Sequence, residues 1–379
     1  MTSYSCLLAG HLGSDPARIH LYWKGRVALF AALKAAGVGA GDEVIIPALT
    51  CVVVPNAILY CNATPVYSDV RADTLTLDPD SVTRLVNRRT RAIIIQNTFG
   101  LSADVDVLVN LARERGLLVL EDCTHGFGGS FRGQPNGALA DASFFSTQWN
   151  KPYSTGLGGI LLVNRPEQFP GLDTINRTAI APGKGELASL WLSMQARRFL
   201  LTDGSYWAML RLYRRLSKSG FVTGSSSAQE IESTDMPPGF FKQHSPMQAV
   251  NGVSALRNLH DVIRTRRKSA LAYRKVLAMK NKWHVPAEHD ANNAFLKFPI
   301  LARNRKQFFD AAEEAKVRLS DWFLSPIHPV ERDFSAWNLS LDAVPTAAAI
   351  SRKLLTINTE ARDAARVCEF ISRSAELIE

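Results

Sequence analysis

The sequence predicts an α/β fold with a mostly parallel, mixed sheet covered by helices, followed by a smaller α+β domain. Short apolar strand patterns alternate with helical patterns through the first half of the chain. Repeated strand–helix–strand units build parallel sheets with helices on both faces. Because 379 residues exceed one small domain, we expect a large domain over 1–244 and a C-terminal domain over 245–379.

The predicted elements follow one another closely. The run RVALFAALKAAGV has helical apolar spacing and stops at Gly37 and Gly39. EVIIP is typical of a strand covered on both faces. Further strands are predicted in TPVYSDV, RAIIIQN, LLVLEDC, ASFFST and GGILLVN, and further helices in VVVPNAILYC, DPDSVTRLVN and VDVLVNLARERG. Open sheets of this kind bind ligands beyond the carboxyl ends of their strands, where we expect the chemistry.

A helical insert interrupts the alternation at about 165–239. ELASLWLSMQARRFLL and YWAMLRLYRRLSKSG are helical, aromatic and basic, whereas GSSSAQEIEST is predicted to be a mobile loop. The insert either covers the functional site or a subunit interface, or lies on an anionic membrane surface. We favour a protein contact, because Trp191, Trp207 and Tyr213 need only a protein partner. From Ser245 one long helix is predicted, and FLKFPIL and LLTIN are strands of the C-terminal domain.

Composition narrows the class of protein. A net charge of +9 is either a solubilising surface charge or an attraction for an anionic partner such as a sugar nucleotide or an acidic sugar. Scattered Arg and Lys residues without a basic tail argue against nucleic acid. Five cysteines without a CxxC pair argue against a disulfide framework or a zinc site and favour reduced thiols in the cytoplasm. Prolines and polar residues interrupt the most apolar stretch, 44–60, so no stable membrane insertion is expected.

A carboxylate and a lone lysine follow two of the predicted strands. Glu121 and Asp122 follow the apolar part of LLVLEDC, and Ser146 and Lys151 follow ASFF. Such a pair suits Schiff-base chemistry, because the lysine must lose its proton to attack an aldehyde and burial lowers its pKa from about 10.4. A carboxylate on a pyridine nitrogen keeps that nitrogen protonated. The glycines that would let the backbone approach a flat cofactor are Gly156, Gly158 and Gly159. By themselves, however, two acids after a strand are more often a salt bridge or a helix cap, and a lysine before proline is usually a surface residue.

Five segments occur in a characteristic order and spacing. They are GRVALFAALKAAGVGAGDEVIIPALTCVVVPNAI, ATPVYSDVRADTLTLDPDSV, TRAIIIQNTFG, GLLVLEDCTHGFGGSFRGQPNGALADASFFST and NKPYSTGLGG. Together they resemble the DegT/DnrJ/EryC1/StrS family of sugar aminotransferases, which have fold type I and use pyridoxal 5'-phosphate (PLP). The resemblance covers about 25–164 almost without gaps and returns, weaker, from Ser245. It implies PLP as cofactor and a homodimer, because fold type I active sites usually lie between two subunits.

The resemblance also implies roles for individual residues. Lys151 matches the family's Schiff-base lysine and proton shuttle. Asp122 matches the partner of the pyridine nitrogen, and His125 lies where the family often has Gln or His beside the ring. Ser146 matches the hydroxyl that binds the cofactor phosphate.

Departures from the family pattern indicate an atypical pocket. Arg26 and Val27 replace a Thr-Ala pair whose amides begin a helix and hold the phosphate. The Arg26 guanidinium would contact either that phosphate or a substrate carboxylate. Cys51 stands where the family stacks an aromatic residue on the ring. Residues 241–244 replace an Asn-Tyr-Arg-Met run that reaches the neighbouring subunit's cofactor, with Lys242 or His244 as substitutes.

The function implied is transfer of an amino group from an amino acid, glutamate, to a keto- or aldehyde-sugar. The acceptor is expected to be nucleotide-linked or acidic and destined for surface polysaccharide or a natural product. Two alternatives remain: a catalytically silent scaffold or regulator with this fold, and a PLP-dependent sugar dehydratase. Lys151 and the absence of cysteine spacing for an iron–sulfur cluster favour transamination.

Overall fold

A seven-stranded mixed sheet forms the centre of the computed structural model, which describes residues 3–200, 228–287, 292–360 and 364–379. The strands are β1 (Ile19–Tyr22), β2 (Glu43–Pro47), β3 (Thr50–Cys51), β4 (Thr64–Ser68), β5 (Thr90–Gln96), β6 (Leu118–Asp122), β7 (Ser130–Phe131), β8 (Gln134–Pro135), β9 (Ala142–Ser146), β10 (Gly159–Val163), β11 (Lys297–Leu301), β12 (Leu319–Ser320), β13 (Ile327–His328) and β14 (Leu354–Asn358). The central order is β1-β10-β9-β6-β5-β2-β4.

Five neighbouring strands of this sheet are parallel. β4, β2, β5, β6 and β9 run in the same direction, while β10 is antiparallel to β9 and β1 is antiparallel to β10. The predicted α/β fold with a mostly parallel mixed sheet is therefore confirmed, as are all six strands predicted in this region. The edge strand β1 was not predicted, because IHLY is too short to show an alternating pattern.

Helices cover both faces of the sheet. They are α1 (Tyr4–Leu12), α2 (Gly25–Ala35), α3 (Val53–Leu59), α4 (Pro79–Leu85), α5 (Val105–Glu114), α6 (Leu172–Arg177), α7 (Lys184–Leu200), α8 (Ala228–Glu232), α9 (Pro246–Leu256), α10 (Leu259–Met279), α11 (Arg305–Glu314), α12 (Pro345–Ser351) and α13 (Ala364–Arg373). In β5, Ile93 and Ile95 join the core with Leu108 of α5, whereas Ile94 joins the core under α2. This period of two explains why the central strands are apolar throughout.

The predicted helix in VVVPNAILYC is confirmed as α3, despite its proline. Pro55 lies in the first turn. An amide there has no partner within a helix, so the proline removes nothing that the helix needs.

A second, three-stranded sheet lies in the C-terminal region. β14 lies between β11 and β12 and is antiparallel to both, which confirms the strands predicted in FLKFPIL and LLTIN. The division of the chain at 244–245 stays a prediction. The short strand β13 pairs with β3, so the C-terminal region also contacts the loop that follows β2.

The prediction of one long helix from Ser245 is wrong. The segment forms two helices, α9 and α10, separated at Arg257 and Asn258. Asn258 has φ −99° and ψ 0°, and its amide bonds to the carbonyl of Ala255, three residues back, at 3.3 Å. This tightened turn interrupts the regular helix without changing the apolar spacing, so the sequence pattern did not show it.

The helical insert is described in part. The predicted helix in ELASLWLSMQARRFLL is confirmed as α7, and YWAMLRLYRRLSKSG lies outside the described residues. The expected mobile loop is wrong at Ala228–Glu232, which forms α8. The guanidinium carbon of Arg197 lies over the Trp149 ring, 4.3 Å from the ring centre. Helix α7 therefore packs on the loop that follows β9. No helix in the described parts of the chain is long and apolar enough to cross a membrane.

Candidate active site

The predicted site residues converge at the carboxyl ends of two neighbouring parallel strands. Asp122 is the last residue of β6 and Ser146 is the last residue of β9. His125 follows β6, and Lys151 follows β9 in the next loop. The charges of Asp122, Cys51 and Arg26 all act on Lys151, and that of Lys151 acts on His125.

The two acids that end β6 have different environments. Glu121 accepts hydrogen bonds from Asn97 Nδ2 at 2.7 Å and from the Gly137 amide at 2.9 Å, so both of its oxygens are bound within the large domain. Asp122 accepts a bond from the Thr124 amide at 2.9 Å and faces Lys151. Burial raises the pKa of Asp122, and the Thr124 bonds and Lys151 oppose that increase. Asp122 is therefore the acid that a cationic ligand would stabilise as a carboxylate.

Lys151 is a half-buried amine whose side chain makes no hydrogen bond or ion pair within the described residues. Its Nζ atom lies 5.4 Å from the ring centre of Trp322. Burial lowers the pKa of Lys151, and Arg26 lowers it further, while Asp122 and Cys51 raise it. The environment thus favours the uncharged amine, the form that attacks a carbonyl.

His125 is held uncharged between aromatic neighbours. Its Nδ1 atom accepts the Phe99 amide at 3.2 Å, which places the ring proton on Nε2. The ring is nearly parallel to those of Trp322, at 5.0 Å, and Phe99, at 6.3 Å. Burial lowers the pKa of His125 well below its usual value, and the charges of Lys151 and Lys297 add to this.

Cys51 and Trp322 lie where the C-terminal region contacts the segment that contains the central sheet. Cys51 is partly buried in β3, which pairs with β13, and Trp322 lies in the segment that leads to β13. A small thiol therefore stands at the position expected for an aromatic residue. The aromatic ring beside Lys151 comes from Trp322, and the sequence analysis did not identify it.

The start of α2 lies directly against Ser146. A Cβ atom on Gly25 would lie 2.9 Å from Ser146 Cβ and 3.1 Å from the Phe145 carbonyl oxygen, so this approach requires glycine. Lys24 precedes the helix and makes no side-chain capping bond, and the Val27 amide donates to the Lys24 carbonyl at 3.1 Å. Uncapped amides at a helix start attract anions, and Ser146 adds a hydroxyl donor beside them.

Arg26 has a partner that the sequence analysis did not predict. Its guanidinium forms an ion pair with Glu230 of α8, and the two side chains are 5% and 4% exposed. Asn56 Nδ2 donates to the Glu230 carbonyl at 2.7 Å, and the Trp337 indole donates to Asn56 Oδ1 at 2.6 Å. A carboxylate of the chain itself therefore lies on Arg26, at the end of the site where the phosphate was expected.

The glycines after Lys151 accommodate protein atoms. A Cβ on Gly158 would lie 2.0 Å from Thr147 Oγ1, and one on Gly159 would lie 2.1 Å from the Lys24 carbonyl oxygen. Gly156 has φ +88°, and its Cβ would meet Leu190 of α7 at 2.7 Å. These residues bring β10 against the start of α2, so the expected approach to a flat cofactor is not what requires glycine here.

Lys242 and His244, the suggested substitutes for a contact across subunits, are both engaged within the chain. Lys242 Nζ lies 2.7 Å from Glu186 Oε1. His244 stacks on Tyr4 at 5.7 Å, and burial lowers its pKa to about 4. Both side chains thus have a partner within the chain, and a contact with a neighbouring subunit stays a prediction.

The donor set fits a phosphorylated pyridine aldehyde. The uncapped start of α2 and the Ser146 hydroxyl suit a phosphate, the half-buried amine of Lys151 suits a carbonyl, and Asp122 suits a protonated ring nitrogen. Because Gly25 has no side chain, the start of α2 can lie directly against Ser146. Within the described residues, no group of three or more His, Cys, Asp or Glu side chains is placed to hold a metal ion.

Comparison with known proteins decides the family. The model of the DegT/DnrJ/EryC1/StrS aminotransferase family matches residues 23–191 and 199–371. The chain belongs to this family. Among solved structures, DesV from S. venezuelae superimposes with a TM-score of 0.74 and 22% identity, covering 99% of this chain and 89% of that one. Similarity at this level of identity shows the shared fold.

Relatives with closer sequences match over a shorter region. The L-glutamine:2-deoxy-scyllo-inosose aminotransferase of Streptomyces fradiae is 44% identical over 138 residues, which are 36% of this chain and 32% of the relative. The GDP-perosamine synthase of Caulobacter vibrioides is 41% identical over 140 residues, 37% of this chain and 38% of the relative. The chain thus matches about a third of the length of these relatives.

Proposed function

We propose that this protein is a PLP-dependent aminotransferase that moves an amino group from an amino acid to the carbonyl carbon of a sugar or a sugar-like ring. One observation carries the proposal: Lys151 is a half-buried amine with no hydrogen bond or ion pair within the described residues, and the charge of the buried Asp122 carboxylate acts on it. A structural lysine would instead be expected at the surface or in a close ion pair.

PLP, when bound, supplies an electron sink for the electrons released at the substrate carbon. Lys151 Nζ takes a proton from the donor's α-carbon and returns a proton to the acceptor's carbon. This requires the uncharged amine, which burial and Arg26 favour. Moving protons within a buried site also keeps them from exchanging with water.

Asp122 and His125 are the residues that would contact the pyridine ring of the cofactor, and Asp122 would keep its nitrogen protonated. The Asp122 carboxylate, which the Thr124 amide orients, would pair with the protonated ring nitrogen of the bound cofactor. His125 is fixed by the Phe99 amide and remains neutral, so its Nε2 proton is available as a hydrogen-bond donor. The start of α2 and the Ser146 hydroxyl would hold the phosphate, while the nearby Arg26 is paired with Glu230.

The substrates are proposed from the relatives and from charge. The named relatives use L-glutamine or make an amino sugar linked to a nucleotide. We therefore take glutamate or glutamine as the donor and a keto- or aldehyde-sugar, nucleotide-linked or acidic, as the acceptor. The net charge of +9 suits such anionic substrates. A homodimer and a cytoplasmic location complete the proposal, and all five cysteines are free thiols.

The decisive experiment compares the purified protein with its Lys151→Ala variant. We expect the wild type to take up PLP with a visible absorption band that declines when glutamate or glutamine is added. Lys151→Ala should lack this band and all turnover, whereas Lys306→Ala, which removes a surface lysine 86% exposed, should retain both. Turnover by Lys151→Ala would refute the assignment of the lysine.

The same experiment separates the alternatives. A band that no amino donor changes would favour the silent scaffold or regulator, and loss of water from the sugar without amine transfer would favour the dehydratase. Sedimentation of the wild type tests the dimer, and a monomer at assay concentrations would count against the fold type I assembly.

A further inference from the structure

A second group of cations lies beside the active site, on the C-terminal region. The charges of Arg266 of α10, Arg318 and Glu360 all act on Lys297 of β11. The charge of Glu360 also acts on Arg266. Arg266 is 2% exposed and forms an ion pair with Glu360 through Nη2. Its Nε and Nη1 atoms have no hydrogen-bond partner in the part of the chain that the structure describes.

Lys297 connects this group with the catalytic lysine. Its Nζ atom lies 5.9 Å from the centre of the Trp322 ring, and Lys151 Nζ lies 5.4 Å from the same centre. The charge of Lys297 also reaches His125. Within the described residues, the Lys297 ammonium makes no hydrogen bond or ion pair, and its side chain is partly exposed. Lys151 and Lys297, two amines without an ion pair in the described part of the structure, therefore lie against the same aromatic ring.

The cluster is costly to the fold by itself. A buried guanidinium with two unused donors has lost its hydration without replacing it, and Lys297 adds a second positive charge near the same carboxylate. Such an arrangement is favourable when a ligand supplies the missing negative charge, because charge-assisted bonds in a site shielded from water are strong.

We propose that Lys297 and Arg266 form a binding site for a carboxylate group of a substrate, which they hold beside Lys151. This inference rests on the proposed aminotransferase function and specifies the substrate chemistry. The carboxylate belongs either to the amino donor or to an acidic acceptor sugar. Lys297 bonds the carboxylate directly, and Arg266 supplies its unused Nε and Nη1 donors.

The protonation of Lys297 agrees with this role. Burial lowers the pKa of Lys297 to about 8, with Arg266 and Arg318 lowering it and Glu360 raising it. The amine is therefore still largely protonated at neutral pH and carries the charge that a carboxylate requires. A bound carboxylate raises the pKa again, because an opposite charge nearby favours the ammonium form.

Calorimetry with glutarate, a dicarboxylate that cannot be aminated, tests the site. We expect glutarate to bind the wild type and to bind Lys297→Met about 10- to 100-fold more weakly, the range of one charge-assisted hydrogen bond. Lys297→Arg should restore most of the affinity. Lys306→Met loses the same charge at the surface and should bind as the wild type does. A wild type without measurable glutarate binding, or equal affinity of Lys297→Met, would overturn the site.

The donor half-reaction identifies the source of the carboxylate. If the amino donor carries it, Lys297→Met will need a higher glutamate concentration for half-maximal loss of the visible band, with little change in the limiting rate. If only glutarate binding weakens and the response to glutamate stays normal, the acceptor carries it. Calorimetry does not require PLP turnover, so failure of the aminotransferase proposal and failure of this site give different results.

Discussion

The buried ion pair between Arg26 and Glu230 makes a prediction about both stability and anion binding. Both side chains are at least nine-tenths buried, so solvent screens their interaction little. Glu230→Gln keeps the shape of the side chain but removes the negative charge of this buried pair. Removing one partner of a buried pair costs about 3–5 kcal/mol, and we expect this loss in the free energy of unfolding of the cofactor-free protein.

Anion binding should change in the opposite direction. The Glu230 carboxylate and a phosphate compete for Arg26 at the start of α2, so Glu230→Gln should bind inorganic phosphate or PLP at least about tenfold more tightly. Phosphate should then recover much of the lost stability, since a ligand at about 100 times its Kd stabilises a protein by roughly 2.7 kcal/mol. Arg26→Met leaves a buried carboxylate, and phosphate should not rescue it.

Urea unfolding at fixed protein concentration, with and without phosphate, measures these effects. Asp310→Asn breaks the exposed Lys306–Asp310 pair and serves as the control, with an expected change within about 0.5 kcal/mol. The double variant Arg26→Met/Glu230→Gln should lose less stability than the sum of the single losses. If Glu230→Gln is as stable as the wild type and binds phosphate equally, Glu230 does not control Arg26.

Three further predictions concern the ring partner, the helix start and pH. Asp122→Asn should lower the rate of amine transfer by about 10²-fold or more, because the ring nitrogen loses its charge partner; a near-normal rate in a steady-state assay would assign that role to another acid. Gly25→Ala should cost about 1–3 kcal/mol in urea unfolding and weaken phosphate binding, because its Cβ collides with Ser146. Gly10→Ala, whose Cβ has open space within helix α1, should be neutral or stabilising, and equal effects of the two substitutions would contradict the steric argument. Glutarate affinity should be constant below pH 8 and fall as the pH rises through about 8, where Lys297 loses its proton. The titratable and charged groups that face Lys297 are Lys151, His125, Arg266, Arg318 and Glu360. His125 is already neutral there, so Lys297→Arg should remove this pH dependence, and its persistence would assign the titration to another group.

Local patterns predicted the central sheet well because each strand is covered on both faces. A fully buried strand must be apolar throughout, and such runs are visible in the sequence as EVIIP and RAIIIQN. Helix α1 was missed although its signal is present: Ser3 caps Cys6, the residues Tyr4, Leu8 and Leu12 have helical spacing, and Gly13 ends the helix in a left-handed conformation. A check of capping residues would have found it.

The site was predictable where it depends on strand ends and unpredictable where it depends on tertiary pairing. Asp122 and Ser146 end adjacent parallel strands, so topology alone brings them together. Glu230 lies 204 positions from Arg26, in a segment whose composition is typical of a loop. Nothing in its local sequence shows that its carboxylate is buried. The same holds for Trp322, which only the pairing of β13 with β3 brings beside His125.

The two ends of the site have the same electrostatic design. At the start of α2, the ion pair Arg26–Glu230 lies beside Lys24, whose pKa is lowered to about 8, chiefly by burial and then by Arg26. On the C-terminal region, the ion pair Arg266–Glu360 lies beside Lys297, whose pKa is lowered to the same range by burial and by Arg266.

Each end therefore combines an arginine paired with a carboxylate and a lysine that makes no ion pair within the described residues. The charge of Arg26 acts on Lys151, and Lys297 lies against the same Trp322 ring as Lys151. An arginine–carboxylate pair allows the buried guanidinium to exist before a ligand binds, while the lysine leaves about one positive charge for that ligand. A substrate or cofactor with an anionic group at each end would be bound in one orientation, with its reactive carbon at Lys151. Neutralising the lysine at one end should therefore weaken the binding of an anionic group at that end and leave anion binding at the other end unchanged. Lys24→Met and Lys297→Met are the matched variants that measure this, with phosphate and glutarate as the respective probes, and a substitution that weakens both probes equally would show that the two ends are not separate.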